Sequence, residues 1–356
     1  MLFSELIRRT PVLSKTDTDT EVAHLSFDSR DVDALTLFFC LRGTRIDRHA
    51  FATEVYEKGC RAFVSEEALP LPEDAAVAVV PNARQALADI SAVLYGAPCE
   101  AVFCIGVTGT HGKSTTAWLI TRILEREGVR VGYIGKYGAY CNGGWVKTPL
   151  VTPESRELHA LLSEMRECGV THAVIEVSAQ SITLARVHGI RFPLAVLTGL
   201  SYAHVGRGEH KDLSAYLEAK KTLFRNHHVR HVVYPAEDAL ATSLLADVGA
   251  KKITVGRSLS CSVCAHASET YAENGIPYQH FHTVANGEVA AFALPLTGKE
   301  HITYALLATA AAKTLSREKN IPPLSLSDVA KALKNPAFPQ EFEKFSKKPK
   351  KFSKTP

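Results

Sequence analysis

The stretch Gly106-Val-Thr-Gly-Thr-His-Gly-Lys-Ser-Thr-Thr116 follows directly on the apolar run Ala101-Val-Phe-Cys-Ile105. Such a continuous apolar run predicts a buried strand of a parallel sheet. The residues after the stretch, 117–125, have their apolar side chains at helical spacing. A strand, a glycine loop and a helix in this order predict a phosphate-binding site, because the loop and the helix N-terminus present backbone N–H groups to an anion.

The spacing of the loop departs slightly from the usual phosphate-loop pattern. That pattern has four residues between its first glycine and the Gly-Lys pair, and here Val107 occupies the position of that glycine. The part that fits is Gly109-x-x-Gly112-Lys113-Ser114. We expect Lys113 to reach the terminal phosphates of a nucleotide and Ser114 or Thr115 to bind Mg²⁺. An ordinary glycine turn is the alternative, and the Gly-Lys-Ser core disfavours it.

Length and composition indicate a globular protein of two or three domains, since the chain has 356 residues, of which 46% are hydrophobic and 22% charged. No apolar run approaches the roughly 20 residues of a membrane span. The N-terminal segment has no apolar region followed by a small-residue cleavage site, so we expect no secretory signal and a cytoplasmic location. We expect a monomer without a membrane partner.

The charge pattern does not favour nucleic-acid binding. The net charge is only +4, and much of it lies in a lysine-rich run near the C-terminus. Such a run is typical of a solvated tail. Elsewhere no basic stripe interleaved with aromatic residues is present.

The eight cysteines are scattered, and several lie inside apolar runs. This distribution favours reduced, buried thiols over a disulfide framework. The segment Cys261-Ser-Val-Cys264-Ala-His266 could be half a zinc site or a redox pair. No second Cys/His pair with matching spacing follows it, so both alternatives are disfavoured.

Alternating patterns divide the chain into two α/β regions and a tail. Residues 1–98 form the first region, 101–335 the second, and 336–356 a hinge stub followed by a disordered lysine-rich tail. In the first region the predicted strands are 24–27, 37–41, 61–64 and 76–80, and the predicted helices 51–58 and 83–95. In the second region the further predicted strands are 129–134, 173–177, 194–197 and 231–234, and the helices 157–167, 213–224 and 301–315. This alternation predicts a doubly wound, mostly parallel sheet whose ligand lies at the carboxyl ends of the strands.

Taken together, these motifs resemble the Mur ligase family over about residues 25–343. The strongest segments are Gly109-Thr-His-Gly-Lys-Ser-Thr115, Val151-Thr-Pro-Glu-Ser155, Glu176-Val-Ser178 and Tyr216-Leu-Glu-Ala-Lys-Lys-Thr-Leu-Phe224. Weaker ones are Asp28-Ser-Arg30 and Leu294-Pro-Leu-Thr-Gly298. The resemblance implies an N-terminal UDP-sugar-binding domain followed by a phosphate-loop ATPase domain.

The reaction implied by the resemblance is an ATP-driven amide ligation in peptidoglycan precursor synthesis. ATP phosphorylates the carboxylate of UDP-N-acetylmuramoyl-L-alanyl-D-glutamate, and the amine of a free amino acid then attacks the acyl phosphate. Such a site must stabilise phosphate charge, hold Mg²⁺ and orient the amine.

The family motifs assign roles to individual positions in this chain. Lys113 would contact the β- and γ-phosphates, and Lys220 would be carbamylated. The metal ligands would be Ser114, Glu176 and His210, with Lys113, Glu176, Lys220 and His210 forming the catalytic set. The nucleotide-binding residues would be Gly109, Thr110, His111, Gly112, Lys113, Ser114 and Thr115. The substrate-binding residues would be Ser29, Val151, Thr152, Ser178 and Arg186.

Several of these assignments have alternatives. Glu176 could face solvent past the end of its strand, and Lys220 could be an ordinary helix lysine, because Lys221 beside it leaves the register open. His210 is assigned by counting back from Tyr216 and could equally be an exposed loop histidine. The family's two asparagines after Gly298 are replaced by His301 and Tyr304, which weakens the expected nucleotide contacts.

The largest departure lies at the C-terminus. Phe338-Pro-Gln-Glu-Phe-Glu-Lys344 resembles the hinge that opens the family's third domain, and the chain stops a dozen residues later. We therefore expect that domain, which closes over ATP and selects the amino acid, to be absent. The two alternatives to this ligase are a module that binds UDP-sugar peptide or nucleotide without turnover, and a related ligase of another substrate class, such as a folylpolyglutamate synthase. The Asp28-Ser-Arg30 and Val151-Thr-Pro-Glu-Ser155 segments disfavour the latter.

Overall fold

Two compact units divide the chain in the computed structural model, which describes residues 1–43, 46–201, 212–273, 275–317 and 321–338. The first unit comprises Met1–Pro98, Pro153–Ser163 and Leu184–Gly189. The second comprises Cys99–Thr152, Glu164–Thr183 and Ile190–Pro356. Of the hinge stub and tail predicted for residues 336–356, residues 339–356 lie outside the described residues.

A five-stranded sheet in the order β1-β5-β4-β3-β2 forms the centre of the first unit. Only β1 is antiparallel to its neighbour, β5; the pairs β5-β4, β4-β3 and β3-β2 are parallel. The strands are β1 (Ser14–Lys15), β2 (His24–Ser26), β3 (Thr36–Phe39), β4 (Ala62–Ser65) and β5 (Ala76–Val79). The helices are α1 (Phe3–Leu6), α2 (Ala52–Glu57) and α3 (Ala83–Leu94), with short 3₁₀ turns at Ile7–Arg9 and Arg48–Phe51.

Both faces of this sheet are covered, because consecutive residues of a strand point to opposite sides. Leu37 and Phe39 belong to one buried cluster together with Leu87 of α3. Phe38 belongs to the other cluster, with Val55 of α2. The α3 helix begins where the side chain of Asn82 accepts hydrogen bonds from the N–H groups of the first turn.

Eleven strands form the sheet of the second unit, in the order β16-β15-β14-β13-β12-β11-β6-β10-β7-β8-β9. Neighbouring strands from β14 to β7 are parallel, and the strands beyond them at either edge are antiparallel. The strands are β6 (Phe103–Thr108), β7 (Val131–Gly135), β8 (Gly138–Cys141), β9 (Gly144–Val146), β10 (His172–Glu176), β11 (Leu194–Leu197), β12 (His231–Pro235), β13 (Lys251–Gly256), β14 (Val263–Glu273), β15 (Ile276–Ala285) and β16 (Glu288–Leu294).

Helices connect these strands, and the one at Ser155–Glu167 has its first nine residues in the first unit. They are α4 (Pro98–Ala101), α5 (Lys113–Arg126), α6 (Ser155–Glu167), α7 (Ala179–Thr183), α8 (Leu213–Asn226), α9 (Ala239–Leu245), α10 (Lys299–Leu315) and α11 (Leu326–Lys334). Alanines on α10, among them Ala308 and Ala312, lie in one buried cluster with Leu119 and Ile123 of α5. None of the helices in the described residues combines the length and apolarity needed to cross a membrane.

The predicted doubly wound, mostly parallel α/β sheet is confirmed. The predicted strand at 101–105 begins two residues later, because Pro98 opens the short helix α4 and so delays the strand. The antiparallel strands at both edges were not predicted. In the order of the strands, β6 lies between β10 and β11, so the chain reverses direction across the sheet at the phosphate loop.

Candidate active site

The loop after β6 has the backbone geometry that its glycines permit. Gly109 has φ +148° and Gly112, the N-cap of α5, has φ +79°. A Cβ on Gly109 would lie 2.0 Å from Oγ1 of Thr198, and one on Gly112 would lie 2.1 Å from a ring carbon of Tyr304. The loop can therefore approach its neighbours this closely only with glycine at both positions.

Hydrogen bonds from two other elements hold the loop in place. The N–H of Thr110 donates to the carbonyl of Gly199 over 2.8 Å. The Thr110 hydroxyl lies 2.7 Å from the Tyr216 hydroxyl on α8. Thr198, at the end of β11, donates its hydroxyl to the His111 carbonyl over 2.5 Å. These hydrogen bonds fix the position of the loop between β6 and α5.

Lys113 lies back over this loop. Its Nζ donates to the carbonyl oxygens of Gly109 and Thr110, over 3.0 and 3.1 Å. These contacts place a cation at the N-terminus of α5, where the helix dipole also favours an anion. Residues 112–115 are half-buried and the His111 side chain is exposed.

Ser114 and Glu176, two of the three predicted metal ligands, are in contact. The Ser114 hydroxyl donates to Oε2 of Glu176 over 2.9 Å. Glu176 ends β10 and is fully buried, so it does not face solvent. On its other oxygen, Oε1, the carboxylate accepts from the Tyr133 hydroxyl at 2.5 Å and from the Lys136 N–H at 3.0 Å.

The donor set of Glu176 and Ser114 fits Mg²⁺, which prefers hard oxygen ligands and is bound in proteins by few carboxylates together with phosphates. Within the described residues no group of three or more His, Cys, Asp or Glu could hold a metal ion. His210 lies outside those residues. Cys261, Cys264 and His266, the alternative zinc ligands, do not form such a group, and Cys264 Sγ lies 3.4 Å from His266 Nε2.

The two adjacent lysines of α8 have different environments. Lys220 is 1% exposed, and its Nζ donates to Thr108 Oγ1 over 3.2 Å and to the Gly109 carbonyl over 3.1 Å. Lys221 instead pairs with Asp247 over 2.7 Å. Burial, and secondarily the Lys113 charge, hold the pKa of Lys220 well below its usual range. Of the two, Lys220 is the one that faces the phosphate loop.

Among the predicted substrate residues, Val151, Thr152 and Ser178 lie in the second unit. The buried Thr152 hydroxyl donates to the Glu176 carbonyl over 2.7 Å and accepts from the Ser178 N–H over 3.2 Å. These bonds place Thr152 and Ser178 beside the end of β10, and Val151 precedes them half-buried.

Ser29 and Arg186 lie in the first unit. The Ser29 carbonyl accepts from Lys58 Nζ over 2.8 Å. Arg186 is 7% exposed and donates from Nε to Glu154 over 2.9 Å.

Several residues at the site were not predicted from the sequence, namely Thr108, Tyr133, Thr198, Tyr216 and Tyr304. One signal was available for Tyr133, since a tyrosine within a buried apolar strand needs a partner for its hydroxyl. The others depend on contacts between elements far apart in the chain, which no local pattern reports.

Two profiles of known protein families match the chain. A profile of the Mur ligase middle domain matches residues 107–312, more than half of the chain. The chain belongs to the Mur ligase family. A second profile, described as Mur ligase family, catalytic domain, matches residues 21–95, so this Mur ligase chain has family sequence in both units.

Curated relatives share substantial identity with this Mur ligase chain. The UDP-N-acetylmuramoyl-L-alanyl-D-glutamate–2,6-diaminopimelate ligase of Chlorobium phaeobacteroides is 39% identical over 260 residues, 71% of this chain and 50% of that protein. The ligase of the same name from Clostridium botulinum is 32% identical over 289 residues, 80% of this chain and 58% of that protein. The chain thus spans about half the length of these relatives.

Solved structures show the same fold. A structure of a UDP-N-acetylmuramoyl-L-alanyl-D-glutamate–2,6-diaminopimelate ligase superimposes with a TM-score of 0.74 at 23% identity, covering 88% of this chain and 62% of that one. MurF ligase from Thermotoga maritima, solved in complex with ADP, superimposes with a TM-score of 0.57 at 16% identity, covering 87% and 66%.

Proposed function

We propose that this protein is an ATP-dependent ligase that joins a diamino acid to UDP-N-acetylmuramoyl-L-alanyl-D-glutamate. The observation that carries the proposal is the convergence of Lys113, Ser114, Glu176 and Lys220 on one loop at the carboxyl end of β6. The names of the relatives support the substrates, and diaminopimelate is the amino acid that we propose.

The residues at the site suit two successive transfers. In the first, the substrate carboxylate oxygen attacks the γ-phosphorus of ATP and ADP leaves. In the second, the amine nitrogen attacks the acyl carbon and phosphate leaves, forming the amide. Lys113 and the N-terminus of α5 would stabilise the phosphate charge. Ser114 and Glu176 would hold Mg²⁺, which when bound neutralises negative charge on the phosphates.

Lys220 is suited to carbamylation. A carbamate forms when a neutral amine attacks CO₂, and the low pKa of this buried lysine favours the neutral amine. The product is an anion next to Thr108 and the loop carbonyl of Gly109, in contact distance of the nucleotide site. Carbamylation, with loss of a proton from the amine, would thereby convert the neutral Lys220 amine close to Lys113 into an anionic group able to bind Mg²⁺.

We propose Val151, Thr152, Ser178 and Arg186 as residues that bind the UDP-sugar dipeptide, and Ser29 as a residue that contacts the uridine. His210 remains our third proposed metal ligand. We also place the protein in the cytoplasm, a reducing compartment, in line with its eight cysteines, all of them described and none of them in a disulfide.

A ligation assay read by mass spectrometry tests this function. The chain is mixed with ATP, Mg²⁺, bicarbonate, UDP-N-acetylmuramoyl-L-alanyl-D-glutamate and diaminopimelate, lysine or ornithine in parallel. We expect a product heavier by one diaminopimelate residue, with stoichiometric ADP. Glu176→Gln should abolish it. Saturable binding of the UDP-sugar peptide without product would instead identify a binding module, and neither binding nor product would overturn the proposal.

A further inference from the structure

The two oxygens of the Glu176 carboxylate have different partners. Oε1 accepts from the Tyr133 hydroxyl over 2.5 Å and from the Lys136 N–H over 3.0 Å. Oε2 accepts from the Ser114 hydroxyl over 2.9 Å, on the side of the phosphate loop. Oε1 is thus held by two donors on the side of β7. Oε2 faces Ser114, another predicted metal ligand.

The sheet register explains why Tyr133 reaches this carboxylate. Strands β7 and β10 are parallel, with Tyr133 opposite Val174. Residue 176 lies two positions beyond Val174, so its side chain is on the same face of the sheet. A tyrosine at this point of β7 therefore extends its hydroxyl towards the end of β10.

The ring of Tyr133 is fixed by its surroundings. It is 0% exposed and packs edge-on against Trp118, with the ring centres 5.7 Å apart. Trp145 lies on another side, with ring centres 6.2 Å apart. The hydroxyl therefore cannot turn to solvent.

Gly135 provides the space for this hydrogen bond. A Cβ at this position would lie 2.2 Å from Oε1 of Glu176 and 2.5 Å from the Tyr133 hydroxyl oxygen. Any larger residue would displace one of the two groups. The contact thus depends on a glycine whose φ, unlike that of Gly109, is not in the left-handed region.

We propose that Tyr133 is a positioning residue for the Mg²⁺–nucleotide site: its hydroxyl holds Oε1 of Glu176 and so orients Oε2 towards Ser114 and the metal. This inference rests on the proposed function. Without the hydroxyl, Oε1 keeps only the Lys136 N–H as a donor, so the carboxylate is held less firmly about its last bond. Removing an outer-shell partner of a metal ligand typically weakens metal affinity by about 10- to 100-fold.

The test compares two tyrosines of one aromatic cluster. Tyr133→Phe removes the hydroxyl at Glu176, and Tyr140→Phe removes one that donates to Glu125 on α5, 2.5 Å away. Binding of Mn²⁺ is followed by electron paramagnetic resonance in the presence of a non-hydrolysable ATP analogue, and folding by thermal melting. We expect an affinity loss of about ten-fold for Tyr133→Phe and less than about two-fold for Tyr140→Phe.

A second background separates positioning from general damage. In Glu176→Gln, Tyr133→Phe should change Mn²⁺ affinity by less than about two-fold, because the carboxylate through which it acts is gone. An equal loss in both backgrounds, or wild-type affinity in Tyr133→Phe, would overturn the inference while leaving the proposed function intact. A wild-type chain that binds no Mn²⁺–nucleotide would overturn both. Should Tyr133→Phe fail to fold, Gly135→Ala disturbs the same hydrogen bond and should give the same loss.

Discussion

At the scale of single residues, burial distinguishes two identical side chains. Lys220 and Lys221 are adjacent in α8, but Lys220 faces Thr108 and Gly109 in the interior whereas Lys221 pairs with Asp247. The sequence left this register open. Transferring the charged Lys220 side chain from water to the interior costs free energy, which its hydrogen bonds offset only in part. The lowered pKa of Lys220 reflects this free-energy cost.

Lys220→Met should stabilise the fold at neutral pH. Because the folded-state pKa of Lys220 is lowered, the unfolded chain binds more protons, and the stability of the wild type rises with pH up to the ordinary lysine pKa. The variant should therefore be more stable by roughly 1–3 kcal/mol at about pH 7, and the gain should shrink towards about pH 10. Urea unfolding in bicarbonate-free buffer measures it. Lys221→Met is the matched control, and a gain there of equal size would contradict this explanation.

Gly109→Ala should destabilise the chain and prevent nucleotide binding. The substitution forces a side chain into φ +148° and places its Cβ 2.0 Å from Thr198 Oγ1, so we expect a loss of roughly 2–4 kcal/mol. Gly128→Ala is the control, since that glycine has φ +77° but nothing within 4 Å of its Cβ. It should cost about 1 kcal/mol and leave nucleotide affinity unchanged. Thermal melting and calorimetric titration with an ATP analogue distinguish the two, and similar behaviour would refute the steric account.

At the scale of elements, the phosphate loop is assembled from three parts of the chain. Strand β6 and helix α5 supply the loop, β11 ends in the Thr198 that holds it, and α8 contributes Tyr216 and Lys220. The order of β10, β6 and β11 in the sheet brings these elements together at their carboxyl ends. The sequence predicted each of these elements and predicted that a ligand lies at the carboxyl ends of the strands. It did not predict the hydrogen bonds between the elements.

Tyr216→Phe should loosen the loop without disturbing α8. It removes the hydroxyl 2.7 Å from Thr110 Oγ1 and retains the buried ring. We expect a loss of about 1 kcal/mol of stability and a several-fold drop in affinity for an ATP analogue. Thr222→Val, whose hydroxyl donates to Glu218 within the same helix, is the control. Nucleotide affinity equal to that of the wild type would show that this hydrogen bond does not position the loop.

At the scale of the whole molecule, each of the two units has its own sheet and its own buried clusters. The first unit includes two segments, Pro153–Ser163 and Leu184–Gly189, from far along the chain. Buried thiols occur in both units. Burial raises the pKa of Cys40 to about 12, of Cys60 to about 11 and of Cys141 to about 12, so their reactive thiolate forms are scarce at neutral pH.

Thiol titration should therefore distinguish two classes of cysteine. Cys99, Cys168 and Cys261 are half-buried and the other five are buried, so at most three thiols should react quickly with Ellman's reagent in the native protein. After unfolding in guanidinium, all eight should react. A deficit of two in the unfolded chain would reveal a disulfide and contradict the free-thiol assignment.

Much of the fold was predictable because its signals are local. Apolar runs and helical spacing predicted the central strands and their helices, and β11 was predicted at residues 194–197, where the structure has it. The antiparallel strands β14–β16 were missed. Many of their residues are exposed, so the apolar alternation is weak, and the exposed stretch of β14 at residues 267–272 shows no such pattern.

The sequence by itself determined the α/β class, the phosphate loop and the family, because a Gly-Lys-Ser loop between an apolar strand and a helix is a local chemical pattern. It also identified Glu176 and Lys220 as candidates. Only the tertiary structure decided which groups they contact. The register of β7 on β10 places the Tyr133 hydroxyl on one oxygen of Glu176, and the packing of α8 buries Lys220 instead of Lys221. Both results depend on pairing between distant segments, which local propensity does not encode.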